Sequence, residues 1–201
     1  VNDARVFARV DESDDGLFYA GPRLVEHIDR HAIAAVERIY RDRVAADTDV
    51  LDLMSSWVSH LPPDVAYASV TGLGMNPEEL ARNPRLDRFV VRNLNEDPTL
   101  PFDDASFDAA LICVSVQYLT KPVEVMHEVA RVLRPSGVLV VSFSNRCFPT
   151  KAVAIWRATD DRGHVTLVAG YLTETGSFTD IEALGSAGSG DPLYAVVARR
   201  V

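Results

Sequence analysis

Residues able to do chemistry are sparse in this chain, and most familiar constellations lack one partner. His27 and His31 share a helix face at i, i+4, yet Ile28 follows His27 where a metalloprotease helix needs a glutamate as general base, so no metal is expected. Asp103 and Asp104 fall in a tight polar turn and read as solvated turn residues rather than an acid-base pair. Cys113 lies inside an apolar run as an inert core thiol, and Cys147 has no histidine beside it in sequence to serve as a base. The Gly-x-Gly-x-x-Gly turn of a nicotinamide enzyme is absent after the first strand. What remains are residues placed just after apolar runs: Asp52 with Met54-Ser55-Ser56-Trp57, Gly74-Met75-Asn76, Asn93-Leu94, Ser115 to Tyr118, and Ser144 to Phe148. In doubly wound sheets a ligand sits beyond the carboxyl ends of the strands near the switch in strand order, which is where these turns would lie.

The elements that must position them alternate between helix and strand. Residues 1–20 are acidic and read as a loose arm, leaving a single domain over 21–201. Gly21-Pro22 opens a helical pattern in which Ile28, Ala32, Ala35, Val36 and Ile39 recur at helical spacing, predicting one or two helices as far as Arg43. Residues 49–53 and 65–70 read as short strands, the second ended by Thr71-Gly72-Leu73-Gly74. Asn76-Pro77-Glu78-Glu79 predicts a helix start, with an N-cap, a proline in the first turn and a glutamate reaching back as in a capping box. A third strand is expected at 89–92, and a polar turn over 100–108 leads into an apolar strand at 109–116, buried on both faces. Residues 122–133 form a helix with Met126, Val129, Ala130 and Leu133 on one stripe, stopped by Arg134-Pro135-Ser136-Gly137 before a strand at 138–143. Helices near 149–158 and 164–174 and a strand pair at 178–184 and 193–199 complete a mainly parallel α/β sheet covered on both sides.

Composition narrows the partners. With 201 residues, 47% hydrophobic and 24% charged, the chain suits one globular domain with a full core. Two cysteines make no disulfide framework, so a reducing cytoplasm is expected. No apolar run reaches the roughly 18 residues of a spanning helix, and no signal-peptide pattern opens the chain. A net charge of −9 argues against a grip on a phosphate backbone; Arg82, Arg85, Arg88 and Arg92, interrupted by Asp87, read as a solvated face. A small molecule is the expected partner, with neither nucleic acid nor membrane.

Leu100-Pro101-Phe102, Ser106-Phe107-Asp108 and Arg131-Val132-Leu133-Arg134-Pro135-Ser136-Gly137 together resemble the Leu-Pro-Phe, Ser-Phe-Asp and Arg-Val-Leu-x-Pro-x-Gly words of class I, Rossmann-like S-adenosylmethionine-dependent methyltransferases of the type 11-like group. The tail from Gly176-Ser177-Phe178 to Val197 is similar to that family's last two strands. More narrowly, residues 53–62, 115–119 and 142–146 resemble a branch of methyltransferase-like proteins in cyanobacteria and plants. The resemblance implies a doubly wound, mostly parallel seven-stranded sheet with its last strand antiparallel and helices on both faces. It also implies S-adenosylmethionine as cofactor and methyl transfer to a small-molecule acceptor. It places Asp52, Met54, Ser55, Ser56, Gly74, Met75, Asn76, Asn93, Leu94 and Ser115 around the cofactor, and Tyr19, Arg23, Gln117, Tyr118, Asn145 and Arg146 around the substrate. Phe18, Tyr19, Arg23 and His27 would form a lid, with Arg23 either beside a substrate carboxylate or in a surface ion pair.

Two departures stand out. The family's first turn carries Gly-x-Gly, because glycine lets backbone approach the cofactor, and here Met54-Ser55-Ser56 replaces it. The family's acid after the second strand accepts hydrogen bonds from the ribose hydroxyls, and here Gly74 aligns with it, with Asn76 the nearest substitute. Each lost bond to a charged acceptor forfeits about 1.5 to 3 kcal/mol. Trp57 either walls the pocket or fills it. The sequence therefore carries two readings: a methyltransferase, or a non-catalytic relative that keeps the architecture as a ligand-binding or protein-interaction module.

Overall fold

Side chains alternate across a strand, so apolar residues two apart in a strand covered on both sides must feed two separate cores. The computed structural model, which describes residues 5–186 and 190–201, shows both. Strands β1 (Asp49–Leu53), β2 (Ser69–Gly74), β3 (Arg88–Val91), β4 (Phe107–Cys113), β5 (Leu133–Phe143), β6 (Phe178–Ser186) and β7 (Leu193–Arg200) form one sheet in the order β3-β2-β1-β4-β5-β7-β6. Strand β7 runs antiparallel to both its neighbours, and the other pairings are parallel. Leu51, Leu53, Ile112, Leu139 and Val141 face helices α4 (Pro122–Val132) and α6 (Asp161–Thr175), where Met126, Val129 and Leu172 are buried with them. Val50, Leu111, Val138 and Val140 face α2 (Arg30–Arg43), packing on Ala32, Val36 and Tyr40. Three shorter α-helices, α1 (Asp15–Phe18), α3 (Pro77–Arg82) and α5 (Ala154–Arg157), and a 3-10 helix at Val116–Tyr118 complete the described elements.

Several element boundaries differ from the sequence reading: the helical pattern expected from Gly21 becomes helix only at Arg30, the strand expected over 109–116 spans Phe107–Cys113, and the helix expected near 149–158 is Ala154–Arg157. Thr71-Gly72-Leu73-Gly74 is the body of β2 rather than the turn after it, since Leu51, Asp52 and Leu53 pair with Thr71, Gly72 and Leu73. Glycine suits position 72 because a Cβ there would stand 2.5 Å from the Leu86 side chain. Arg134-Pro135-Ser136-Gly137 is drawn into β5, where Leu133 pairs with Phe107 across an irregularity in register. The four arginines from 82 to 92 are spent within the chain, on Glu78, the Val65 carbonyl, Thr71 and Asp97. Among the described residues no helix is long and apolar enough to cross a membrane.

Of the acidic opening expected as a loose arm over 1–20, residues 1–4 lie outside the described residues, and the chain is tied down from residue 6 onward. The Ala154 and Ile155 amides donate to the Ala8 and Val6 carbonyls, and the Asp11 amide donates to the Thr150 carbonyl. Lys151, 1% exposed, sets its ammonium against the Ser13 carbonyl at 2.8 Å, Asp15 at 3.0 Å and Asp11 at 3.3 Å. Asp15, itself buried, also receives both its oxygens' bonds from Arg9, at 2.6 and 2.8 Å. Burial opposes ionisation of Asp15, but the bonds from Arg9, Asn95 and Lys151 outweigh it and hold the carboxyl below the usual range. Composition saw only solvated acids; the partners lie some 140 residues along the chain, beyond the reach of any local pattern.

Removing one partner of a buried charge cluster is far costlier than its net worth. Lys151→Met should therefore loosen the arm while the sheet stays folded, so that limited trypsin digestion cuts at Arg9 or Arg23 about tenfold faster than in the parent. Equal cutting rates would show that the arm is held by something else.

Candidate functional site

The carboxyl ends of β1, β2 and β4 surround a cavity of about 300 Å³, at the position where the strand order reverses between β1 and β4. Its floor is the turn after β1. Without glycine, that turn places Met54 in the left-handed region, at φ +55°. A side chain there costs roughly 1 kcal/mol. The Ser55 amide donates to the Leu73 carbonyl at 2.8 Å, so it serves the sheet rather than the cavity. The Ser55 carbonyl lies where a side chain on residue 74 would go, 2.2 Å from an added Cβ. Gly74 is thus fixed by close packing of one turn on the next strand.

Asp52 is buried beneath this turn, with its Oδ2 accepting from the Ser55 and Ser59 hydroxyls, both at 2.6 Å. Burial pushes its carboxyl up to about 6, against the lowering effect of the two hydroxyls. Trp57 is half-buried and donates its indole N–H to the Val25 carbonyl at 3.1 Å, which makes it a wall of the cavity rather than a plug.

After β2, Asn76 caps α3 by accepting from the Glu78 and Glu79 amides, while its Nδ2 donates to the Tyr19 and Ala20 carbonyls. Both ends of its side chain are committed. Glu79 does not complete the expected capping box. Its carboxylate turns into the cavity wall, accepting from the Arg23 amide and the Ser56 hydroxyl, each at 2.6 Å. Sequence reading passed over Glu79 because the capping box offered it a complete local role. Beyond β3, Asn93 and Leu94 line the cavity, and Asn95 ties the wall to Asp15 and the Tyr118 carbonyl.

The substrate-side residues divide. Tyr19, Arg23, Tyr118 and Arg146 line the same cavity, as do Met75 and Ser115, whose hydroxyl is buried without a partner. Gln117 does not: it is fully buried and donates to the Val114 carbonyl, so its place is in the core beneath the turn. Asn145 is exposed and outside the lining, because the chain turns there toward Arg146 and its ion pair with Asp191. Phe148 joins the wall instead, its ring stacked on Tyr118 and its amide donating to the Tyr118 hydroxyl at 2.8 Å. His27 and His60 also line the cavity, and burial holds both imidazoles below their ordinary range, neutral at pH 7.

Two tests follow from the floor. Gly74→Ala, which sets a methyl against a backbone carbonyl, should cost about 2 kcal/mol or more, whereas Gly170→Ala, open on an exposed face of α6, should stabilise by up to about 1 kcal/mol; urea midpoints that move alike for both would refute the packing described. For Asp52, the folded carboxyl titrates near 6 and an unfolded one near 3.9, so the folded state binds this proton more tightly. Stability is then lost as pH rises from about 4 to about 6, and between pH 4.5 and 7.5 the parent should lose about 2 kcal/mol more than Asp52→Asn. Parallel pH profiles would contradict the burial of an ionisable group there.

Comparison with known proteins supplies a partial domain match and a shared fold. Residues 55–141 match a family described as a methyltransferase domain. Demethylmenaquinone methyltransferase of Tropheryma whipplei is 38% identical over 78 residues, a stretch covering 37% of this chain and 32% of that protein, so the chain spans about a third of this relative's length. The (4+2)-cyclase SpnF superposes with a TM-score of 0.63 at 16% identity, over 90% of this chain and 89% of that one. Haemonchus contortus phosphoethanolamine N-methyltransferase 2, solved with phosphomonomethylethanolamine and S-adenosylhomocysteine, superposes at 0.61 and 12% identity, over 85% and 52%. At such identities the superpositions establish the fold, and the doubly wound, mostly parallel seven-stranded sheet with its last strand antiparallel is the one expected from the sequence resemblance. The chain thus shares the fold of class I, Rossmann-like methyltransferases, and its residues 55–141 are similar to a methyltransferase domain.

Proposed function

We propose that the cavity binds S-adenosylmethionine and that the domain transfers the methyl group to a small-molecule acceptor. The observation that carries this reading is the open volume at the strand-order switch, bounded by Asp52, Ser55, Leu94 and Ser115 and left free by Trp57. The residues fit the cofactor by a changed route. Gly74 offers no carboxylate, and the space in front of it is taken by Ser55, so Glu79 is the acid after β2 left to accept from ribose hydroxyls. Each of its oxygens accepts one hydrogen bond in the bonds described and has a second lone pair to offer. Met75 and Leu94 give apolar surface for adenine, Asn93 its edge contacts, and Asp52, Met54, Ser55 and Ser56 the methionine side, with Ser115 supplying an unpaired hydroxyl.

When bound, the cofactor supplies an electrophilic methyl group on a sulfonium. The chain's share of the work is alignment and exclusion of water. Tyr19, Arg23, Tyr118 and Arg146 stand on the acceptor side. His27 and His60, kept neutral by burial, can take a proton from an acceptor hydroxyl or ammonium.

Calorimetry with S-adenosylhomocysteine tests the reading. Binding in the micromolar to submillimolar range is expected, weakened about tenfold or more by Glu79→Gln through the loss of a charged acceptor. No heat at millimolar ligand would leave the domain as a ligand-binding or interaction module instead.

A further inference from the structure

The protein carries a net charge of −9, yet the cavity wall holds four arginines against three carboxylates. Three of the four are neutralised: Arg9 by Asp15, Arg92 by Asp97 and Arg146 by Asp191. The fourth, Arg23, has no carboxylate within 4 Å of its guanidinium among the described residues. It is nevertheless firmly placed. Its amide is held by Glu79, its Nη2 donates to the Phe18 carbonyl at 2.8 Å, and its guanidinium lies 4.5 Å from the Phe18 ring centroid, 5.4 Å from Phe148 and 5.7 Å from Tyr19. Its Nη1 is buried with no hydrogen-bond partner.

A guanidinium held among three rings still presents its planar fork of donors, the geometry that recognises a carboxylate. Burying one of those donors unpaired is costly, and an arriving oxyanion recovers that cost. The wall around it is aromatic: Tyr19, Trp57, Tyr118 and Phe148 all face the cavity, with Tyr118 and Phe148 stacked at 5.9 Å. Flat apolar ligands pack well on such surfaces. We propose that the methyl acceptor is an aromatic carboxylic acid whose carboxylate is received by Nη1 of Arg23. This rests on the preceding reading that Arg23 stands on the acceptor side of the cavity, and it deepens that reading by naming the substrate class.

Benzoate and its neutral isostere benzamide are the probes, titrated by calorimetry into the full chain with and without saturating S-adenosylhomocysteine. The parent should prefer benzoate by about tenfold, and Arg23→Gln should bring that preference below about twofold while leaving the affinity for S-adenosylhomocysteine unchanged. Equal binding of the two probes by the parent would overturn the proposal, as would a preference that survives Arg23→Gln. So would a loss confined to S-adenosylhomocysteine affinity, since the guanidinium would then serve the cofactor's own carboxylate. If Arg23→Gln does not fold, the parent alone decides: benzoate, and not benzamide, should shift the Arg23 Nε–H resonance, and an unmoved resonance at saturating benzoate overturns the assignment. A parent that discriminates benzoate from benzamide but never binds S-adenosylhomocysteine would keep the carboxylate subsite and sink the methyl-transfer reading, so the two fail separately.

Discussion

The contact between the Ser55 carbonyl and Gly74 is the constraint around which the rest of the site is arranged. Drawing the end of β1 against β2 through the Ser55 amide forces the left-handed residue at Met54. It brings the Ser55 and Ser59 hydroxyls onto one oxygen of Asp52 and sends the Ser56 hydroxyl to Glu79. Asn83, buried on the far side, closes the loop by donating to the Ser56 carbonyl and the Ser59 hydroxyl. A hydrogen-bonded serine turn thus stands where the methyltransferases that the sequence resembles carry a glycine-rich loop.

Charge organises the opposite wall. Lys151 and Arg9 converge on Asp15, and Asn95 adds a third kind of donor from the turn after β3. Ions removed from water this completely hold only when their hydrogen bonds are satisfied together. The amino-terminal segment, the turn after β3 and the loop after β5 are consequently one cooperative surface. The roof over the cavity is built from segments with no regular structure between Tyr19 and Asp29, held by side chains rather than by a ladder.

Much of the fold was legible because it rests on periodicity. The strand at 49–53, the helix with Met126, Val129 and Ala130 on one stripe, and the closing strand pair all follow from local apolar spacing. The boundary of β2 was misplaced because a Thr-Gly-Leu-Gly run has turn composition, and only pairing with β1 and β3 makes it a strand. Of the site, the turns were legible and the individual roles less so. Gln117 and Asn145 lie in turns that neighbour the cavity, but one side chain is buried in the core and the other is exposed to solvent. Glu79, His60, Asp15 and Lys151 were invisible as site-forming residues because each acts through a partner far away in sequence or through a burial that no local pattern encodes.

Asn76 joins two of these parts through a single planar group. Its oxygen terminates α3 and its nitrogen grips the backbone of the roof at Tyr19 and Ala20. A rigid amide cannot reorient one end without swinging the other, so any hinge of the roof about this point is transmitted as torque to the first turn of the helix that carries Glu79. The position of that backbone and the aim of that carboxylate are mechanically geared to one another.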